Sequence, residues 1–439
     1  MRLGASRLAS RAAARSLVHA AAGGADGCIC VVGGGFAGLT AALKLAALPW
    51  EGAAKPKIKL IDRSDRHVFL PMLYDLTCGD VSEWEVAPRF DELLAGTGIE
   101  HVRADLTAVD TAARTISIKG AEGKQTLAYD NLILSLGSQP VSPPAKGVLS
   151  YRTLDDALFL RFKLRALLAS GAPLVRVVVV GASYSGIELA SNLAKTLGPR
   201  RGLVTLVGRG DKLLQVGALG NQQAAAQALE RAGVEVILGK DVELEGPSRA
   251  KLTPAGSLSD GFAEFVDADL VIWCAGSARA KMASDLKLAV AMDGRVATTS
   301  SLAVRDTEGV FAIGDMACCE PLGDSTANAQ NAQVAVQQAE YAAYNVWASR
   351  NGKAPMPYRY LKAGEMLAFG PTDASVSAFD VINIRGLPGA AIRRAAYLYR
   401  MPTNTHKAKV GFSWAFDAAL RGADALLAGT GGKKEQSAI

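Results

Sequence analysis

Apolar positions along this chain follow two rhythms. Short runs such as residues 28–32 and 175–180 read as strands, and positions four apart, such as Leu154, Leu158 and Phe162, read as one face of a helix. The first run passes through Gly33-Gly-Gly-Phe-Ala-Gly38 into a helix from about Phe36, and the strand 57–62 follows. The same succession returns later: strand 175–180, the turn Gly181-Ala-Ser-Tyr-Ser-Gly186, a helix from about Ile187 and the strand 203–207. Between and beyond the repeats lie a helix-like stretch at 86–94, alternating strands at 100–103, 115–119 and 127–129, and a buried strand at 132–136 stopped by Gly137. The Pro- and Ser-rich stretch 138–147 reads as a connection. Further strands are expected at 234–238, 266–273 and 309–315.

The repeat carries chemistry. Gly33, Gly35 and Gly38 have the G-x-G-x-x-G spacing that gives a tight turn, a bare backbone for a pyrophosphate and close helix–strand packing. The free N–H groups and positive end of the following helix favour phosphate. Asp62, 24 residues after Gly38, ends the next strand where a ribose hydroxyl would lie; the alternative is an ordinary βαβ unit with a solvated acid. The second turn has Gly181, Ser183 and Gly186, with serine in place of the middle glycine. Its second strand ends in Gly208-Arg209 rather than an acid, which favours a 2′-phosphate and hence NADPH, unless Arg209 merely faces solvent and both nicotinamides bind.

The expected fold class is α/β. Two tandem Rossmann-type dinucleotide-binding domains are expected, the second inserted into the first. The first would span 26–150 and 290–345, the second 151–289, and a separate C-terminal region 346–439.

Composition narrows the class. Of 439 residues, 49% are hydrophobic and 21% charged, a globular balance rather than a disordered or membrane-bundle one. Outside the amino terminus no run of 18 uncharged apolar residues occurs, so no spanning helix is expected. Net charge is +6, but it is unevenly placed. Arg2, Arg7, Arg11 and Arg15 precede the first acid, Asp26, with Ser and Ala between them, the pattern of a transit peptide over 1–25. Residues 385–439 carry nine Lys or Arg against three acids. The six cysteines contain no C-x-x-C, and Cys318-Cys319 are adjacent, so neither a zinc site nor a flavin redox disulfide is expected; no metal is called for.

Four motifs in order then establish a resemblance. The two glycine turns, the closing Val310-Phe-Ala-Ile-Gly-Asp315 and Ala332-Gln-Val-Ala-Val-Gln-Gln-Ala339 look like the two-dinucleotide flavoproteins, and the last resembles the A-Q-x-A-x-Q segment of type II NAD(P)H:quinone oxidoreductases. Phe69-Leu-Pro-Met-Leu-Tyr74, Trp84-Glu-Val-Ala-Pro-Arg-Phe90 and the segment from Arg400 through His406 to Trp414 look closer to the plastid branch, which reduces demethylphylloquinone and plastoquinone.

The resemblance implies FAD on Gly33, Gly35, Gly38 and Asp62, with Asp315 accepting from the ribityl chain unless it only caps a helix. It implies NADPH, with NADH as an alternative, on Gly181, Ser183, Gly186 and Arg209, and Glu188 at the nicotinamide–flavin junction unless it merely answers the helix dipole. Ala332 would open a helix directed at the flavin, and Gln333 and Gln337, one turn apart, would bond quinone carbonyls; without the resemblance they read as ordinary helix surface. The tail 407–427, with Val410, Phe412, Trp414, Phe416, Leu420, Leu426 and Leu427 among basic residues and Arg393, Arg394 and Arg400 nearby, reads as an amphipathic membrane-docking segment, or else as a core cover or dimer contact.

The implied activity is non-proton-pumping hydride transfer from NADPH to FAD and on to a membrane prenylquinone. The implied place is a chloroplast thylakoid or plastoglobule surface, the alternative being the mitochondrial inner membrane. No nucleic-acid partner is expected, and a homodimer is left open. The rival readings are a mitochondrial NADH:ubiquinone alternative dehydrogenase and a flavin-binding protein without turnover. Sulfide:quinone reductase fits less well, because its disulfide-forming cysteines have no evident counterpart.

Overall fold

Ile29, Val31 and Val32 are β-branched and almost wholly buried, as a strand covered on both faces requires. A computed structural model describes residues 27–428 apart from 51–54, 141–142, 144, 247, 257–262, 279–281, 320–327 and 380, and for 139–140, 277–278, 282 and 421–428 the backbone alone. The expected transit peptide at 1–25 and the side chains of Leu426 and Leu427 lie outside what is described.

The chain forms two compact units, each of several segments. The first holds Met1–His67, Arg89–Gln139 and Arg279–Leu361, and the second Val68–Pro88, Pro140–Ala278 and Lys362–Ile439.

In the first unit, Cys28–Val32 lies mid-sheet. It pairs in parallel with Lys57–Asp62 on one side (Val31 opposite Leu60) and Asn131–Leu134 on the other (Val31 opposite Ile133). Val310–Ala312 closes one edge beside Asn131–Leu134; on the other side Ile99–Asp110 follows Lys57–Asp62 in parallel and leads into an antiparallel meander, Thr115–Gly120 and Gly123–Ala128. The strand order reverses at Cys28–Val32, the switch point where ligands of such sheets bind. The helices Phe36–Ala47 and Ala332–Arg350 pack together through Ala41, Ala42, Ala339, Ala342 and Ala343, whose small side chains allow close approach.

The second unit repeats the plan with a parallel sheet in the order Glu235–Ile237, Gly202–Val207, Val175–Val180, Leu270–Trp273, Leu149–Ser150. Two antiparallel three-stranded sheets accompany it: Lys240–Leu244 with Arg249–Pro254 and Glu264–Asp267, and Gly364–Gly370 with Asp373–Ala378 and Ile382–Arg385. The helices Gly386–Arg400 and Asn404–Ala428 follow. Among the described residues, no helix is long and apolar enough to cross a membrane.

Two expected elements divide. The helix-like stretch 86–94 becomes two one-turn helices, Glu83–Val86 and Phe90–Leu93, because Pro88 between them cannot continue a helix and restrains the residue before it. The strand expected over 266–273 becomes Glu264–Asp267 and Leu270–Trp273. The break is fixed by Asp269, whose N–H donates to the Arg176 carbonyl (2.8 Å) while its carboxylate accepts the Arg176 N–H (2.7 Å).

Candidate functional site

The first candidate site is the glycine turn after Cys28–Val32. Gly33 turns at φ +102°, and its N–H donates to the Ile61 carbonyl at 2.8 Å. A Cβ on Gly38 would overlap the Gly33 carbonyl oxygen, so helix and turn close only without one. Gly35 is the opposite case: beyond its own local backbone, no described atom lies within 4 Å of a Cβ built there. It sits at the N-cap of Phe36–Ala47 and offers no side-chain cap, which leaves the first-turn N–H groups pointing into that open space. Such a cradle suits an anion.

Asp62 ends its strand against the turn. Its carboxylate accepts the Gly34 N–H at 2.5 Å and the Ser64 N–H at 2.7 Å. Each oxygen keeps a further lone pair to accept from another donor.

Two polar residues that the glycine spacing did not single out pin this turn. The Ser135 hydroxyl reaches the Val32 and Gly33 carbonyls at 2.8 and 2.9 Å. His67, 2% exposed, bonds the Gly34 carbonyl through Nδ1 at 3.0 Å and stands edge-on to Phe36 at 5.3 Å. The signal for Ser135 was a lone hydroxyl inside an apolar run; for His67 the sequence offered none.

Asp315 lies half-buried in the single turn Gly314–Met316 after Val310–Ala312, where Ser138 Oγ donates to it at 3.4 Å. Ala332 begins the helix Ala332–Arg350, capped by Asn331 Oδ1 accepting the Val334 N–H at 2.9 Å. Gln333 and Gln337 share a face. The Gln333 Oε1 accepts from the Tyr360 hydroxyl at 2.6 Å. The Gln337 amide pairs with the Leu361 backbone, accepting its N–H at 2.9 Å and donating to its carbonyl at 2.8 Å. The next residue, Gln338, is 1% exposed, and its Oε1 accepts the Gly314 N–H at 2.7 Å. The family motif drew attention to its neighbour and passed over this one.

The second unit carries the second cradle. Gly181 turns at φ +121°, donates to the Val207 carbonyl at 2.7 Å, and would bring a Cβ within 2.9 Å of the Ala275 nitrogen. A Cβ on Gly186 would overlap the Gly181 carbonyl, repeating the interlock of the first turn. Ser183 is the exposed N-cap of Tyr184–Leu197, and its hydroxyl makes no capping bond. Arg209, beyond Gly202–Val207, extends into solvent and pairs through Nε with Asp241 Oδ1 at 3.0 Å.

Glu188 is the fifth residue of Tyr184–Leu197 and 8% exposed. Its Oε1 accepts the Ala368 N–H at 3.0 Å. Burial pushes its carboxyl up to about 8, against the Ala368 bond and the Arg393 charge, which pull the other way. Asp75, Tyr74, Arg393 and Tyr397 are buried in the same unit. The Arg393 guanidinium donates to the Tyr74 hydroxyl at 2.8 Å and to Asp75 at 3.2 Å, and lies 5.1 Å from the Tyr397 ring centre. Burial raises the Asp75 carboxyl while Arg393 opposes the rise.

Arg393 corrects an expectation. At 1% exposed it cannot face lipid, because Asp75 holds it inside. Val410, also wholly buried, is an inward residue of Asn404–Ala428, whereas Phe412, Phe416 and Leu420 are 75%, 55% and 49% exposed at spacing four. The two phenylalanine rings stack at 6.4 Å.

Comparison with known proteins agrees with this geometry. A family described as pyridine nucleotide-disulphide oxidoreductase matches residues 28–339. The chain is 36% identical over 399 residues to the demethylphylloquinone reductase NdbB of Synechocystis, covering 88% of this chain and 95% of that protein. It is 32% identical to the alternative NAD(P)H-ubiquinone oxidoreductase C1, chloroplastic/mitochondrial, of Arabidopsis thaliana, covering 89% and 81%. The structure of NDH2 from Plasmodium falciparum in complex with NADH superposes with a TM-score of 0.75 at 15% identity, over 87% of this chain and 97% of that one, a likeness of fold.

Proposed function

We propose that this chain, which belongs to the pyridine nucleotide-disulphide oxidoreductase family and within it to the type II NAD(P)H:quinone oxidoreductases, carries two electrons from NADPH through FAD to a prenylquinone at a membrane surface, without pumping protons. It is an oxidoreductase, FAD-dependent and served by NAD(P)H. The observation that carries the fuller reading is the cradle itself: an interlocked Gly33–Gly38 pair around an open Gly35, with an acid at the next strand end, and the same interlock repeated at Gly181 and Gly186.

FAD fits the first cradle. Gly35 leaves room where a pyrophosphate must approach, the uncapped N–H groups of Phe36–Ala47 face that room, and Asp62 keeps lone pairs for the ribose. When bound, FAD supplies the two-electron hydride chemistry. The protein's part is binding and electrostatics. In this reading Asp315 receives the ribityl chain, and the positive end of Ala332–Arg350 stabilises negative charge near Ala332. Gln333 and Gln337, already bonded to Tyr360 and Leu361, offer their remaining amide capacity to quinone carbonyls. NADPH takes Gly181, Ser183, Gly186 and Arg209. In this reading Glu188, whose carboxyl burial pushes up to about 8, is the residue of the second unit that serves the nicotinamide–flavin junction.

The quinone is read as a naphthoquinone of the demethylphylloquinone type, or plastoquinone, on the strength of the name of the Synechocystis relative. Docking through Asn404–Ala428 is supported by the exposed stripe Phe412, Phe416, Leu420 with Lys407 and Lys409 on the same helix. The place is read as a chloroplast membrane; the name of the Arabidopsis relative keeps the mitochondrion as the alternative.

Anaerobic mixing with NADPH should bleach the flavin absorption band, and a soluble naphthoquinone should restore it. A band untouched by NADPH would remove the donor assignment. A turnover panel of two nicotinamides with naphthoquinone, plastoquinone and ubiquinone analogues separates the plastid reading from the mitochondrial one. A polypeptide that stays colourless after reconstitution with FAD would overturn both.

A further inference from the structure

The strand Gly202–Val207 ends at the position where a Rossmann unit meets the adenosine ribose, and its sequence offers an arginine there rather than an acid. The structure supplies the missing acid from elsewhere. Asp241, on Lys240–Leu244, places Oδ1 3.0 Å from Arg209 Nε, while its Oδ2 accepts the Gly256 N–H at 2.9 Å. A depression of about 360 Å³ opens beside them, lined by Arg209, Gly210, Gln215, Ala255 and Gly256. The pair is a surface one, 77% and 40% exposed, so it adds little to stability. Its importance lies in its position.

We propose that Asp241 sets the nicotinamide preference of this chain: it occupies the Nε edge of Arg209 and repels a 2′-phosphate, so that NADH remains a competent donor beside NADPH. The proposal rests on the reading that Arg209 lies at the adenosine ribose of the second cradle. A guanidinium can grip a phosphate oxygen pair along one edge while its other edge is taken, so the 2′-phosphate is still received. It is received by a cation whose charge is half spent, with a fixed carboxylate within about 5 Å, the span of one guanidinium plus a hydrogen bond. A ligand with a bare 2′-hydroxyl feels no such repulsion, and the Asp241 oxygens can accept from it.

The test is calorimetric titration of the flavin-loaded protein with 2′,5′-ADP and with 5′-AMP, at low ionic strength so that exposed charges are not screened. Asp241→Asn keeps an acceptor for the Gly256 N–H and removes the charge. It should tighten 2′,5′-ADP about tenfold and leave 5′-AMP unimproved, and the ratio of NADPH to NADH kcat/KM should rise in step. Glu243→Gln, which takes the same charge from the same strand where Glu243 pairs with Lys251, should change neither affinity. Arg209→Ala separates the two ways of failing. If it weakens 2′,5′-ADP while Asp241→Asn leaves that affinity within twofold, the ribose reading stands and the role of Asp241 falls. If Arg209→Ala leaves 2′,5′-ADP unchanged, both fall.

Discussion

The Arg393 guanidinium lies 3.2 Å from the Asp75 carboxylate, and both side chains are only 2% exposed. Two ions taken out of water must satisfy one another, and the Tyr74 hydroxyl takes a further guanidinium N–H. Removing one partner strands the other. Arg393→Met should cost on the order of 3–5 kcal/mol in urea unfolding, and adding Asp75→Leu should restore most of it. A cost below about 1 kcal/mol for the single variant would show that the pair is not held as described.

Glu188 gives a pH signature. Its carboxyl is pushed up to about 8 in the folded chain from an ordinary 4.5. The folded state therefore favours the protonated form. Stability from this group is fully present below pH 4.5 and is lost as pH rises through 8. Glu188→Gln keeps an acceptor for the Ala368 N–H but cannot titrate. Against that variant, the wild-type chain should lose about 1.4 kcal/mol per pH unit within the window. Parallel curves of melting temperature against pH would remove the claim.

Gly35 and Gly38 should part company on substitution. Gly35→Ala meets open space at φ −70°, so it should melt within a few degrees of wild type yet purify with much less flavin. Gly38→Ala drives a methyl into the Gly33 carbonyl and should destabilise the fold itself, by roughly 2 kcal/mol or more. Flavin content and melting temperature measured on both variants decide it. Equal melting temperatures would contradict the interlock.

Phe412 and Phe416 present two adjacent rings to solvent. Changing both to serine should leave melting unaltered, since neither is buried, and lower binding to anionic vesicles at least tenfold in flotation, given about 1.5–3 kcal/mol per inserted ring. Unchanged flotation would assign docking elsewhere.

How much of this was legible in the sequence follows from which forces act locally. The glycine turns, their strands and their helices were readable because backbone sterics confine such residues to one arrangement. The start of Ala332–Arg350 came from the resemblance rather than from local sterics, and Asn331, which caps it, was not singled out. Pairings across the chain were not readable. Arg393 looked like a lipid-facing cation because its partner, Asp75, lies 318 residues away. The acid beside Arg209 was missed because it arrives from a different strand, and His67 because nothing near it in sequence names Gly34 as its acceptor.

The Gln338 bond to the Gly314 N–H has a mechanical meaning. Asp315 follows directly in the same single turn, so its carboxylate and the opening of Ala332–Arg350 are yoked into one lever. Any tilt of the helix must drag that carboxylate with it, and a ligand gripped by both would be tensioned or slackened at two points in unison.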